Sequence, residues 1–281
     1  MKVLLTGGHG QLGKEIAILL KKKDIEHVAC SREDLDITSL EAVQSEVFDY
    51  KPDVIIHAAA YTQVDLAETN EEEAFLVNGT GTRNLAEAAQ EIGACLCYIS
   101  TDYVFDGESD RPYKEDASTN PITVYGKSKY VGEQFVKNCN KYFIVRTSWV
   151  FGAHGNNFVK TMLKLAEERE TLQVVSDQVG SPTYTADLAS FLLELIHTDK
   201  YGMYHATNTG HCSWYEFARA IFEETNKGID VKPVSTEEFL RPAPRPKFSV
   251  LDHAAIRKNH FQDLRHWREA LQAFLREIGA K

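Results

Sequence analysis

An apolar run, KVLLT (residues 2–6), breaks into TGGHGQLG (6–13) and then into LGKEIAILLKKK (12–23), whose Leu12, Ile16, Leu19 and Leu20 fall on one helical stripe. A strand that passes through a glycine turn into an amphipathic helix leaves few folds open. Gly7, Gly10 and Gly13 form G-x-x-G-x-x-G at that junction. The first two let the backbone turn and approach a pyrophosphate, and the third lets the helix lie close to a sheet. The helix N-terminus adds partial positive charge for the phosphate. The position after the first strand and before a helix separates these glycines from an ordinary turn.

The alternation continues. HVAC (27–30) and DVIIHAA (53–59) read as the second and third strands, with the helix EAVQSEVFDY between them, ended by Pro52. A long helix over 71–93 leads into ACLCYIS (94–100), apolar enough for a parallel strand covered on both faces. A further helix over 126–138 precedes YFIVRTS (142–148). Residues 1–150 therefore predict an α/β fold with a doubly wound parallel sheet. After Gly152 the pattern loosens. Helices are expected at 156–169, 185–198, 213–226 and 266–278, and LQVVS and GMYHATN read as strands. The proline cluster RPAPRP (241–246) must be a loop. Residues 151–281 are expected to form mainly a smaller C-terminal lobe, interleaved with the last part of the sheet and binding the substrate.

A chain of 281 residues, 43% hydrophobic, can bury such a core. Its formal net charge of −10 argues against nucleic-acid or anionic-membrane partners, which need a basic patch. The opening apolar run is too short for a signal-peptide core or a membrane span, so a cytoplasmic protein is expected. Five cysteines, without a C-x-x-C pair, predict buried thiols and neither disulfides nor zinc.

Tyr125 and Lys129 stand four residues apart in YGKSK, so they share a helix face. A phenol with a pKa of about 10 is a poor acid, and a neighbouring cation brings it towards useful range. Lys129 is expected to tune Tyr125 in this way and to hold ribose hydroxyls of a dinucleotide. Thr101, at a strand's carboxyl end, can donate to a carbonyl oxygen as charge develops there. Thr101, Tyr125 and Lys129 together suit hydride transfer to a ketone, with Tyr125 giving the proton. At the end of the second strand Arg32 favours the extra phosphate of NADP, while Glu33 and Asp34 leave NAD open. Asp36 completes the candidates for that end of the cofactor.

TGGHGQLG, PDVIIHAAAYTQVDLAE (52–68), STDYVFDG (100–107), VYGKSKYVGE (124–133), RTSWVFG (146–152), GNNFVKTML (155–163), DQVGSPTYTADLA (177–189) and RPKFSVLD (245–252) resemble the extended short-chain dehydrogenase/reductases nearly end to end. The resemblance implies a Rossmann-like fold and a reductase that uses NADPH or NADH on the 4-keto group of a dTDP-6-deoxy sugar. It implies that Gly10, Gln11 and Leu12 contact the cofactor pyrophosphate, beside Gly7 and Gly13, and that Ala60, Tyr61 and Thr62 line the cofactor groove. Thr101 and Asp102 would meet the sugar and Trp149 would cover it. Asn157 and Arg245 are assigned to the nucleotide half of the substrate. Some members form a homodimer bridged by magnesium (Mg2+) through acidic residues, one in the first helix. Glu15 matches that position, but TADLAS around Asp187 supplies no full acidic set, and no histidine spacing suggests a metal serving the chemistry. Two rival readings stay open: a non-catalytic, cofactor-binding regulatory subunit, which predicts loss of the trio, and a nucleotide-sugar epimerase or dehydratase. Dehydratases usually carry a glutamate where this chain has Tyr103.

Overall fold

The computed structural model describes residues 1–281. In chain order, β1 (Lys2–Thr6), α1 (Gln11–Lys22), β2 (Glu26–Cys30), α2 (Leu40–Tyr50) and β3 (Val54–His57) lead to α3 (Val64–Ala67), α4 (Glu71–Phe75) and α5 (Thr82–Ile92). β4 (Cys95–Thr101), α6 (Val124–Val136) and β5 (Tyr142–Thr147) follow. The second half contains β6 (Val150–Phe151), α7 (Phe158–Leu165), β7 (Thr171–Val175), β8 (Val179–Gly180), β9 (Thr183–Tyr184), α8 (Thr185–Ile196) and β10 (Gly202–His205). It ends with β11 (Cys212–Ser213), α9 (Trp214–Glu224), β12 (Asp230–Val234), α10 (Ala254–Lys258) and α11 (Trp267–Glu277).

Six strands form one sheet in the order β10-β5-β4-β3-β1-β2, with every pairing parallel. Successive β1 residues point to opposite faces: Val3 and Leu5 pack with Ile16, Leu20, Leu188 and Leu192, while Leu4 packs with Val43, Val47, Leu85 and Ala89. Helices on both faces explain why the strands are continuously apolar rather than alternating. Each fully buried leucine here contributes about 1.5–3 kcal/mol. Because β1 has β2 on one side and β3 on the other, the winding reverses between β1 and β3, and a crevice opens beyond their carboxyl ends.

The second half returns to this sheet through β10, which pairs with β5, and through α8, which packs on α1. A third core, including Val159, Leu172, Phe217, Ile221, Leu271 and Phe274, is drawn wholly from residues beyond 150. All five cysteines are buried, free thiols.

Four local readings need correction. The helix expected over 71–93 carries a π turn at Leu76–Gly81, whose extra residue per turn aims Asn78 into the interior. β3 stops at His57, because the chain at Ala58 and Ala59 turns against Gly7. The helix expected at 156–169 is α7 alone, its start set by Asn157, whose side chain accepts from the Lys160 amide at 3.1 Å. Finally, β12 and α10 were not anticipated. Pro233 lies inside β12, which it can occupy because β12 pairs only with β7 and leaves its other edge free.

Candidate active site

The crevice at the β1/β3 reversal is a cleft of about 870 Å³. Gly7, Gly10, Gln11, Leu12, Gly13, Arg32, Asp36, Ala60, Tyr61, Thr62, Thr101, Asp102, Tyr125, Lys129 and Trp149 all line it. Asn157 and Arg245 are not in this wall. The Asn157 amide is spent on the Gln11 side chain at 2.8 Å and the Gly152 carbonyl at 2.9 Å, and its neighbour Asn156 faces the cleft instead. Arg245 donates to Asp65 at 2.8 Å and to the Ala243 carbonyl at 2.9 Å.

The glycine loop has the shape a dinucleotide requires. Gly7 is left-handed at φ +71°, and a Cβ there would lie 2.6 Å from the Ala59 nitrogen. A Cβ on Gly13 would lie 2.1 Å from the Gly7 carbonyl oxygen. Helix α1 starts at Gly10 without a side-chain cap and with no acid in its first turn, so its leading amides remain available to an anion. At the far end of β2, Arg32 is 82% exposed and stands 3.6 Å from Glu73, which also lines the cleft. Arg32→Ala is expected to raise the KM for NADPH by about ten- to a hundredfold, the usual cost of losing a charged hydrogen bond, and to change that for NADH little. Steady-state kinetics with the two cofactors measures this, and equal effects on both would remove Arg32 from phosphate recognition.

Helix α6 brings the chemistry to the middle of the cleft. It can approach the sheet because a Cβ on Gly126 would strike the Tyr103 carbonyl at 2.2 Å, and one on Gly132 the Tyr98 hydroxyl at 2.4 Å. The α6 start is capped by Thr123, which accepts from the Gly126 amide at 2.9 Å. Tyr125 and Lys129 share the face turned to the cleft. Lys129 is 3% exposed, and its ammonium donates to the Ile99 carbonyl at 2.7 Å while lying 4.1 Å from the centre of the Tyr98 ring. Burial lowers it to about 7, against the pull of the Glu133 carboxylate.

The expected effect of Lys129 on the resting phenol is not found. Burial pushes Tyr125 up to about 12, with the Thr101 hydroxyl opposing and the Asp102 carboxylate adding to the rise. The reason is that the ammonium is turned to the β4 carbonyl rather than to the phenol oxygen. The resting tyrosine is therefore firmly protonated, which is the state a proton donor needs. The Thr101 hydroxyl donates to Asp102 Oδ1 at 3.0 Å and accepts from the Tyr103 amide at 3.2 Å. Asp102 is 2% exposed and its Oδ2 has no partner; burial raises this carboxyl to about 6, against the nearby Ser249 and Thr101 hydroxyls.

Sequence reasoning missed three contributors. Asn78 stitches the loop after β3 to α6: it accepts from the Tyr61 amide at 2.8 Å and donates to Ser128 Oγ at 2.9 Å. Only the π turn aims it there, and nothing in VNGTG announces that turn. Trp214 stacks on Trp149 with centroids 3.5 Å apart and planes 9° from parallel, and both rings face the cleft. Trp149 holds an unusual left-handed backbone, φ +47°. Tyr103 meets Tyr125 edge-on at 5.6 Å. The helix expected over 213–226 starts at a capping box formed by Ser213 and Glu216, and it is this start that brings Trp214 to residue 149.

The acids considered for magnesium do not gather into a centre. Arg265 donates to Asp187 at 2.8 Å, Tyr184 donates to Glu277 at 2.5 Å, and burial followed by the nearby Glu277 raises Glu15. No three His, Cys, Asp or Glu side chains of the chain come together as ligands. No helix is long and apolar enough to cross a membrane.

Residues 1–279 match the family described as the RmlD substrate binding domain. The chain is 46% identical to the spore coat polysaccharide biosynthesis protein SpsK of Bacillus subtilis, over 98% of this chain and 97% of that one. It is 44% identical to a dTDP-4-dehydrorhamnose reductase of Streptomyces griseus, over 95% and 91%. The crystal structure of dTDP-4-dehydrorhamnose reductase from Bacillus anthracis in complex with NADP is similar at a TM-score of 0.96 and 50% identity, covering 98% of this chain and 99% of that one.

Proposed function

The chain belongs to the RmlD substrate binding domain family, and from that premise we propose that it uses this cleft to reduce a sugar nucleotide. It is an NAD(P)H-dependent oxidoreductase that reduces the 4-keto group of dTDP-6-deoxy-L-lyxo-4-hexulose to give dTDP-L-rhamnose. The observation that carries this reading is one continuous cleft lined both by the glycine cradle and by Thr101, Tyr125 and Lys129.

The bound dinucleotide supplies a hydride from its nicotinamide. Gly7, Gly10 and Gly13 leave room for its pyrophosphate, Arg32 faces the adenosine ribose, and NADPH is the preferred form in this reading. Tyr125 gives its proton to the sugar oxygen as negative charge grows there. Its phenolate is costly amid the surrounding apolar packing and beside the Asp102 carboxylate, and the ammonium of Lys129, one turn away on the same face, offsets that cost at the moment of transfer. Thr101 must rotate its hydroxyl from Asp102 to the same oxygen. Trp149, held from behind by Trp214, covers the apolar face of the sugar. We take the core beyond residue 150 as the substrate lobe. Action in the cytoplasm and as a homodimer fits this role.

Given NADPH and the 4-keto-6-deoxy sugar nucleotide, the purified protein is expected to oxidise one cofactor per sugar reduced, followed by absorbance at the nicotinamide band and by product chromatography. Unchanged absorbance with an epimerised product would replace the reductase by an epimerase. No turnover despite cofactor binding would favour a regulatory subunit.

A further inference from the structure

Helix α6 carries a third chemistry-bearing residue, Glu133, one turn beyond Lys129 and buried against the sheet rather than in the cleft wall. Tyr125, Lys129 and Glu133 follow at intervals of four, so the three side chains stack along one face. Glu133 is wholly buried, yet it is not needed to cap the helix or to reach solvent. It accepts from Arg146 twice, from Nε at 2.8 Å and Nη2 at 2.7 Å, and from Ser100 Oγ at 2.6 Å. Arg146 belongs to β5 and Ser100 to β4. One carboxylate therefore ties the helix to both strands beside the cleft.

One strand it grips, β4, ends in Thr101 and supplies the carbonyl that holds Lys129. Ser100 lies between Ile99, whose carbonyl receives the Lys129 ammonium at 2.7 Å, and Thr101. A slip of α6 along β4 would change the Thr101 to Tyr125 spacing and the Lys129 contact together. A buried ion pair usually adds little to stability over apolar packing, because desolvation cancels much of the attraction. A pair kept here is better explained by what it holds in place.

We propose that Glu133, clamped by Arg146 and Ser100, is a positioning residue for the reduction, which holds α6 in register on β4 and so fixes Lys129 and Tyr125 relative to Thr101. The proposal rests on the reductase reading. The groups facing Lys129 support it. On α6 these are Tyr125 and Glu133. From β4 come the Tyr98 ring and the Ile99 carbonyl, and from β3 comes His57, held neutral by burial and by Lys129 itself. Arg146, on β5, is matched by Glu133. Glu133 is the one anion acting on Lys129, and it opposes the loss of the proton that burial favours.

The test is Glu133→Gln, alongside Glu133→Asp and Ser100→Ala, with kcat, cofactor KM and the pH dependence of kcat/KM measured on each. Wild-type turnover establishes the reductase reading first, so a failure of the clamp is distinguishable from a failure of that reading. Glu133→Gln is expected to lower kcat by about tenfold or more, to leave the NADPH KM within about twofold, and to move the alkaline limb about one pH unit towards acid. The sign follows from charge: without the carboxylate, Lys129 gives up its proton at lower pH. Glu133→Asp should restore part of kcat and most of the limb. A folded Glu133→Gln enzyme with wild-type kcat and an unmoved limb overturns the proposal. If that variant does not fold, Ser100→Ala decides, because it removes one hydrogen bond and leaves the ion pair. A fall in kcat with cofactor KM retained supports the clamp, and wild-type kinetics reject it.

Discussion

Tyr125→Phe is expected to lose at least about a hundredfold in kcat, the usual contribution of a general acid, while binding NADPH as tightly as the parent. The substitution removes one oxygen from a ring whose edge-on contact with Tyr103 and place on α6 do not depend on that oxygen. Stability should therefore change little, and the loss should fall on kcat. Single-turnover kinetics together with cofactor fluorescence titration would check it. The parent enzyme makes a linked prediction. With the phenol raised to about 12 and Lys129 lowered to about 7, the free enzyme should lose kcat/KM on the alkaline side through the lysine rather than the tyrosine. Wild-type turnover in Tyr125→Phe would transfer the proton-donor role to another group, with Asp102 first in line because its carboxyl is buried, raised to about 6 and joined to Thr101.

Gly13→Ala is the second large effect, and it acts on binding. The new methyl would sit 2.1 Å from the Gly7 carbonyl oxygen, a backbone atom with no flexible side chain to yield. Either α1 moves away from the loop or the loop opens, and both spoil the approach of the pyrophosphate. Overpacking of this kind costs about 1–3 kcal/mol. Cofactor affinity should fall by about tenfold or more, equivalent to about 1.4 kcal/mol. Isothermal titration with NADPH and a thermal melt without it separate the two losses. Unaltered affinity in a folded variant would mean that the dinucleotide does not use this cradle.

The winding of the sheet was readable because its causes are local. Strand, glycine turn and amphipathic helix follow one another within 23 residues, and burial on both faces leaves continuous apolar runs at β3, β4 and β5. The pairing of Tyr125 with Lys129 was readable for the same reason, since a helix repeats every 3.6 residues. The π turn was not, because an inserted residue is stabilised by distant partners, here Tyr61 and Ser128, rather than by the sequence of the turn. The start of α7 and the strand through Pro233 escaped for a similar reason: one is set by Asn157, held by Gln11 and Gly152, the other by β7 lying alongside.

By itself the sequence determined which residues could be reactive, which backbone turns were open only to glycine, and which helix face carried a phenol above an amine. These follow from covalent geometry and short-range periodicity. Tertiary structure alone decided their electrical state and their company. It turned the Lys129 ammonium to the Ile99 carbonyl, raised the phenol instead of lowering it, drew Trp214 against Trp149, and closed Arg146 on Glu133. Proton affinities and ion pairs depend on the solvent excluded and the charges brought near, and both are properties of packing between segments far apart in the chain.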